Sequence, residues 1–167
     1  ITVDGRTVKD ISTYDSYGRV SSKIIDVPSE TRLGLTYSYD SYGRLTSITN
    51  ANALGIVYWA LNDVNARNRI ESETFGNGLT TSYGYHATMN RVSSVSTPSV
   101  QAWAFEYDPK GNLFRRVNYL LPGFQWFSHD SLDRLTTVQQ CYPAYFFPCI
   151  GHPANPPQAS QAQVREY

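Results

Sequence analysis

Asp15, Asp40, Asp108 and Asp130 recur at one position of a short repeated pattern, and this row of carboxylates is the feature of the chain best suited to chemistry. Carboxylates held together can exchange protons in general acid–base catalysis. Arginines recur with the same rhythm, at Arg19, Arg44, Arg69, Arg91 and Arg134, and could form a positive stripe. His86, His129 and His152 complete the set. The regularity itself argues against catalysis. An aspartate ahead of a turn accepts from backbone N–H groups two or three residues on, so evenly spaced aspartates read as turn caps. His129 falls where the pattern elsewhere has tyrosine, and His86 where it has aspartate. Neither belongs to a helix-spaced or short metal-ligand pair. No glycine-rich phosphate loop, Ser-His-Asp set or zinc signature is present. The arginines are expected to stack on an adjacent tyrosine or to pair with an aspartate of the next unit. No catalytic, cofactor-binding or metal-binding residue is expected.

The elements that carry these residues repeat. Tyr-Asp-Ser-Tyr-Gly-Arg occurs at Tyr14 to Arg19 and again at Tyr39 to Arg44. Weaker copies run from Val64 to Arg69, Tyr85 to Arg91, Tyr107 to Asn112 and His129 to Arg134, closing at intervals of 21 to 25 residues. Such a period marks an array of one small unit. The residue before each closing position is Gly18, Gly43, Asn68, Asn90, Gly111 or Asp133. Glycine, asparagine and aspartate best tolerate a left-handed backbone, which predicts a type I turn closed by a left-handed residue in a bulge. Val20, Leu45, Ile70, Val92, Leu113 and Leu135 then start each return strand. The approach strands alternate: Trp103, Phe105 and Tyr107 share a face, against Ala102, Ala104 and Glu106. Leu35, Tyr37 and Tyr39 repeat that face, as do Leu79, Thr81, Tyr83 and Tyr85. One face is thus expected to be aromatic and the other small or polar. Looser turns are predicted at Gly34, Gly55, Gly76-Asn77-Gly78, Ser99 and Gly123. About eleven or twelve antiparallel strands of roughly six to nine residues result. The third and fourth copies are degenerate, with Val64-Asn65 in place of Tyr-Asp and Met89 as one extra turn residue.

Composition narrows the partners. The 167 residues include 13 tyrosines against one methionine, which favours pleated strands over helices. Fourteen basic and fourteen acidic residues cancel, so no electrostatic footprint for nucleic acid or an anionic membrane is present. No apolar run approaches the roughly 18 residues of a membrane span. No basic start followed by an apolar stretch reads as a signal peptide. A β-propeller would use two units per blade, but six units would make too few blades to close. The chain is expected to be a piece of a longer array.

Tyr14-Asp15 with Gly18-Arg19-Val20, Tyr39-Asp40 with Gly43-Arg44-Leu45 and Tyr107-Asp108 with Gly111-Asn112-Leu113, together with Gly76-Asn77-Gly78-Leu79 leading to Tyr83, closely resemble the YD (Rhs) repeat. The resemblance spans about residues 12 to 140. It implies an all-β fold, a curved antiparallel β-meander of repeated hairpins forming part of a YD-repeat β-shell. Such shells occur in bacterial Rhs polymorphic toxins, in the cocoon component of Tc toxin complexes and in teneurins. In the bacterial members the shell encloses a C-terminal toxin domain, whereas teneurin shells display adhesive surfaces. The partners implied are further repeats of the parent shell and an enclosed toxin domain, with glycans as an alternative on tyrosine-rich faces. Secretion or a bacterial cell-surface location is likewise implied. Many bacterial members end the shell in an Asp-Pro-x-Gly-Leu-like self-cleavage site. Asp108-Pro109-Lys110-Gly111-Asn112 is the nearest match, but Asn112 departs from it and the segment reads as a turn. Residues 1–140 are expected to form the array, 141–163 a Pro/Ala-rich insertion, and 164–167 the start of a further repeat. Cys141 and Cys149 permit a disulfide if the compartment is oxidising, as secretion would imply. Free sheet edges are expected to favour self-association.

Overall fold

The computed structural model describes residues 2–3, 6–28, 30, 32–121, 123–142 and 161–166. Every regular element among them is a strand. Residues 1–80 and 81–167 form two compact units. The first holds a small pair, β1 (Thr2–Val3) and β2 (Arg6–Thr7). There follow β3 (Lys9–Tyr14), β4 (Val20–Asp26), β5 (Leu33–Tyr39), β6 (Leu45–Asn50), β7 (Val57–Val64) and β8 (Ile70–Phe75). Each of these pairs antiparallel with its chain neighbour. The second unit continues with β9 (Thr80–Tyr85), β10 (Val92–Thr97), β11 (Gln101–Tyr107) and β12 (Leu113–Asn118). It ends with β13 (Gly123–His129), β14 (Leu135–Tyr142) and β15 (Gln161–Glu166), again antiparallel in chain order. The fold is all-β, a meander of hairpins, as the alternating sequence predicts.

Register shifts fall where the turn residues demand them. Tyr14 faces Val20, Tyr39 faces Leu45, Tyr107 faces Leu113 and His129 faces Leu135, each one step out of the preceding ladder. A bulge at the same place in successive hairpins adds local twist and re-aims the tyrosine.

Some elements differ from the expectation. Gly34 and Gly123 lie within β5 and β13, not in turns. A Cβ on Gly34 would stand 2.9 Å from Cβ of Ala51, because the loop after β6 folds back over it and the Ala51 N–H donates to the Gly34 carbonyl. Close approach, not a turn, is what selects glycine there. The stretch from Phe75 to Leu79 is as tight as the principal turns: the Phe75 N–H reaches the Leu79 carbonyl and Gly78 has φ +79°. The boundary expected at 140/141 falls inside β14, which continues to Tyr142, and β15 begins at Gln161, ahead of residue 164. Residues 143–160, with Cys149 and His152, lie outside the described residues.

Burial is shallow. Among the described residues only Trp126 and Cys141 are buried hydrophobics, at 3% and 0% exposure. Phe114 and Phe124 pack edge-on against Trp126, with ring centroids 4.7 and 5.8 Å away. This cluster lies on the face opposite Trp103, Phe105 and Tyr107: Trp126 faces Arg115, which faces Glu106, and Phe124 faces Cys141. The expected small or polar face is therefore apolar in the last hairpins. Phe124 and Trp126 occupy the places that Ala102 and Ala104 hold in β11, counting back from His129 and Tyr107. Elsewhere cross-strand polar pairs substitute for a core. The Thr81 and Thr97 hydroxyls meet at 2.7 Å in a buried position, and the Trp59 indole N–H donates to Glu73 at 2.6 Å.

Candidate functional site

Each principal turn is built by its first polar residue. In the first, the Asp15 N–H donates to the Arg19 carbonyl at 2.8 Å and the Gly18 N–H to the Asp15 carbonyl at 3.0 Å, with Gly18 at φ +77°. Asp15 Oδ1 accepts the N–H groups of Tyr17 and Arg19 at 2.9 and 3.0 Å. Its Oδ2 takes both Nε and Nη2 of Arg19 at 2.7 Å. The second turn repeats this, Asp40 accepting from Tyr42 and Arg44 N–H groups and from Arg44 Nε and Nη2. Asp130 accepts the Leu132 and Arg134 N–H groups and, from the Arg134 side chain, Nε. Asp108 binds the backbone and side-chain amides of Asn112 at 2.8 and 3.1 Å.

Degenerate copies keep the logic with other atoms. Asn65 Oδ1 accepts from Arg67 and Arg69 N–H groups at 3.0 and 3.1 Å. In the fourth copy the Asn90 N–H reaches back four residues to the His86 carbonyl, accommodating Met89, and His86 Nδ1 accepts the Met89 N–H at 3.3 Å. Asn68, Asn90, Gly43, Gly111 and Asp133 all have positive φ, between 61° and 90°.

The arginines bridge turns in a way the sequence did not specify. Arg19, Arg44 and Arg134 pair with the aspartate of their own turn, four residues back, and not with that of the next unit. What they offer the next unit is the face or far end of the guanidinium. Arg19 lies over the rings of Tyr17 and Tyr39, at 4.9 and 4.4 Å, and Arg91 over Tyr107 at 5.5 Å. The same tyrosines donate their hydroxyls to the carbonyls after those arginines, Tyr39 to Val20 and Tyr107 to Val92, both at 2.8 Å. A Cβ on Gly43 would stand 3.2 Å from Arg19 Nη1, and one on Gly111 3.0 Å from Arg91 Nε. Where asparagine replaces that glycine, Arg44 Nη1 donates to Asn68 Oδ1 at 2.5 Å. In the last pair, Asn112 and Lys110 both reach Asp133, at 2.9 and 3.0 Å. Within each unit, then, the closing residue of one turn touches the left-handed residue of the following turn.

Electrostatics follow the geometry. Backbone donation from Arg44 and Arg134, then their guanidinium donors, hold the carboxyls of Asp40 and Asp130 below the usual carboxylate range against the upward push of desolvation. For Asp15 and Asp108 desolvation is the largest single influence and pushes upward. The combined donors of Arg19 and Tyr17, and of Asn112, Lys110 and Gly111, outweigh it and leave both carboxyls lowered. Asp133 is lowered first by the side-chain donors Lys110 and Asn112. Carboxylates whose lone pairs are already filled in this way are poor proton acceptors for a substrate. Among the described residues no three His, Cys, Asp or Glu side chains group to hold a metal. Cys141 sits buried beside Trp126, and its expected partner Cys149 lies outside the described residues. The Trp126 cluster is the feature that sequence reading missed; aromatics in alanine places of the repeat are the signal that would have found it.

Clasped hairpins of this kind define a repeat-built β-wall with left-handed corners. The profile of the teneurin YD-shell family matches residues 4–142, and the chain belongs to that family. It is 31% identical over 112 residues to double-stranded DNA deaminase toxin A of Burkholderia cenocepacia (strain H111), covering 66% of this chain and 7% of that protein. Among solved structures it resembles a TcdB2-TccC3-Cdc42 crystal structure, with a TM-score of 0.67 and 20% identity over 94% of this chain and 8% of that one. It is likewise similar to the Photorhabdus luminescens Tc holotoxin pore, with a TM-score of 0.66 and 23% identity over 79% of this chain and 7% of that one. These structures share the fold. The chain spans less than a tenth of the length of the relatives it matches.

Proposed function

We propose that this chain is a stretch of wall in a hollow, curved β-shell of a secreted or surface-delivered bacterial protein, enclosing a C-terminal toxin domain and catalysing nothing itself. The observation that carries this reading is the clasp from the closing residue of one turn to the left-handed residue of the next. Within each unit it makes one hairpin depend on the next, which suits a wall one sheet thick. Family membership and the toxin relative support the same reading. The test is limited proteolysis of the full-length parent protein, comparing wild type with a variant carrying Arg19→Met, Arg44→Met and Arg91→Met. Protection of the C-terminal region in the wild type, reduced in the variant, is the expected result. A wild-type C-terminal region cleaved as fast as an isolated one would refute enclosure.

An adhesive role is the second reading, favoured by Tyr17 and Tyr42, which stand 82% and 91% exposed at successive turn tips. Binding of the chain to a glycan array or to intact cells, abolished by Tyr17→Ser with Tyr42→Ser, would support it; flat responses would remove it.

A further inference from the structure

Arg116 differs from the clasp arginines. Arg19, Arg44, Arg115 and Arg134 each meet a carboxylate. Arg116 meets none among the described residues; its Nε donates to Gln125 Oε1, and its two terminal nitrogens have no acceptor among them. The half-buried guanidinium is held beside two rings, 5.2 Å from the Trp103 centroid and 5.8 Å from that of Phe127. It lines a pocket of about 200 Å³ together with Trp103, Asn118, Phe124, Gln125 and Gln140. Register places these groups together: Trp103 faces Asn118, Arg116 faces Gln125, and Gln125 faces Gln140.

The lining specifies a ligand class. Tethered at Nε, the guanidinium has its Nη1–Nη2 edge left for a planar acceptor, and a carboxylate matches that fork with two parallel hydrogen bonds. The pocket lining has one cation and three neutral amides, which suits a single negative charge better than a phosphate dianion. The amides of Asn118 and Gln140 can satisfy further oxygens, while Trp103 and Leu121 offer apolar surface to a ring. We propose that this pocket binds a small ring-bearing monocarboxylate, its carboxylate on Arg116 and its ring against Trp103.

The full chain is titrated with benzoate and with glucuronate, and with their neutral counterparts benzyl alcohol and glucose, by calorimetry and by amide chemical shifts. Saturable binding of at least one acid is expected, with shifts confined to β11–β14 and at least about tenfold weaker binding of its neutral counterpart, the loss of one charge-assisted pair. Which acid binds distinguishes an aromatic from a sugar acid. Arg116→Lys keeps the charge and loses the fork, so an affinity drop of about tenfold is expected, with the Trp126 environment unchanged by near-ultraviolet circular dichroism. Arg116→Met is expected to abolish binding. No saturable binding by either acid, equal binding of acid and neutral counterpart, or unchanged affinity in folded Arg116→Lys would each overturn the proposal.

Discussion

Asp40 accepts two backbone N–H groups on one oxygen and two guanidinium donors on the other, so a single carboxylate fixes both the turn and the arginine that leaves it. Its lowered carboxyl and those of Asp15 and Asp130 mean that the unfolded chain takes up protons at higher pH than the folded one. Stability from these groups is therefore present above the unfolded value, near 3.9, and is lost as pH falls through the folded values. Thermal melts from pH 7 to 2 are expected to show an acid limb that is shallower in Asp40→Asn; an unchanged limb would contradict the assignment. The left-handed corners make a second prediction. Gly18→Ala meets only the backbone cost of about 1–2 kcal/mol, whereas Gly43→Ala also presses on the Arg19 guanidinium and is expected to destabilise more. Chemical denaturation that ranks the two equally would show that the arginine yields without cost.

At the scale of the element, the hairpins differ in what holds them. Arg91 over Tyr107 and the Tyr107 hydroxyl on Val92 join two hairpins through one exposed cation and one hydrogen bond, each worth about 0.5–1.5 kcal/mol. The β12–β14 region instead has a buried aromatic cluster, the one found among the described residues. Trp126→Ala is expected to cost about 3–5 kcal/mol, and Trp103→Ala, on the opposite and less buried face, clearly less. Equilibrium unfolding of both variants checks the order, and a larger loss for Trp103→Ala would place the mechanical centre on the other face. Cys141 lies in the same cluster, and we propose that it bridges to Cys149, clipping the Pro/Ala-rich stretch to β14. Alkylation without reductant followed by mass spectrometry is expected to find no free thiol.

For the whole molecule the notable property is shallow burial among the described residues. With the buried hydrophobics among the described residues limited to Trp126 and Cys141, ladders and clasps carry much of the stability there, and such a sheet is sensitive to its edges. β3 is a terminal strand of its ladder, with mostly exposed residues and Tyr14 63% open to solvent. The chain is expected to self-associate through that edge. Light scattering should show mass rising with concentration, and Ile11→Lys on β3 should suppress the rise; a strict monomer throughout would refute it.

What the sequence determined by itself was the repeated turn and the strands that flank it. The place of each principal turn, its left-handed residue, the polar residue that caps it and the alternation of the strands follow from backbone sterics and side-chain reach within five or six residues. The teneurin YD-shell family was legible for the same reason, since its signature is a local one. Tertiary structure alone decided what depends on the neighbouring hairpin. Gly34 reads as a turn residue until Ala51 folds over it, and Arg19 could have chosen either aspartate until the bulge set Tyr39 beneath it. Which face of β13 would be buried was likewise undecided, because Phe124, Trp126 and Phe127 place aromatics on both sides of the strand. Only the packing of Phe114 and Cys141 against Trp126 settles it, through contacts between residues that local pattern cannot relate.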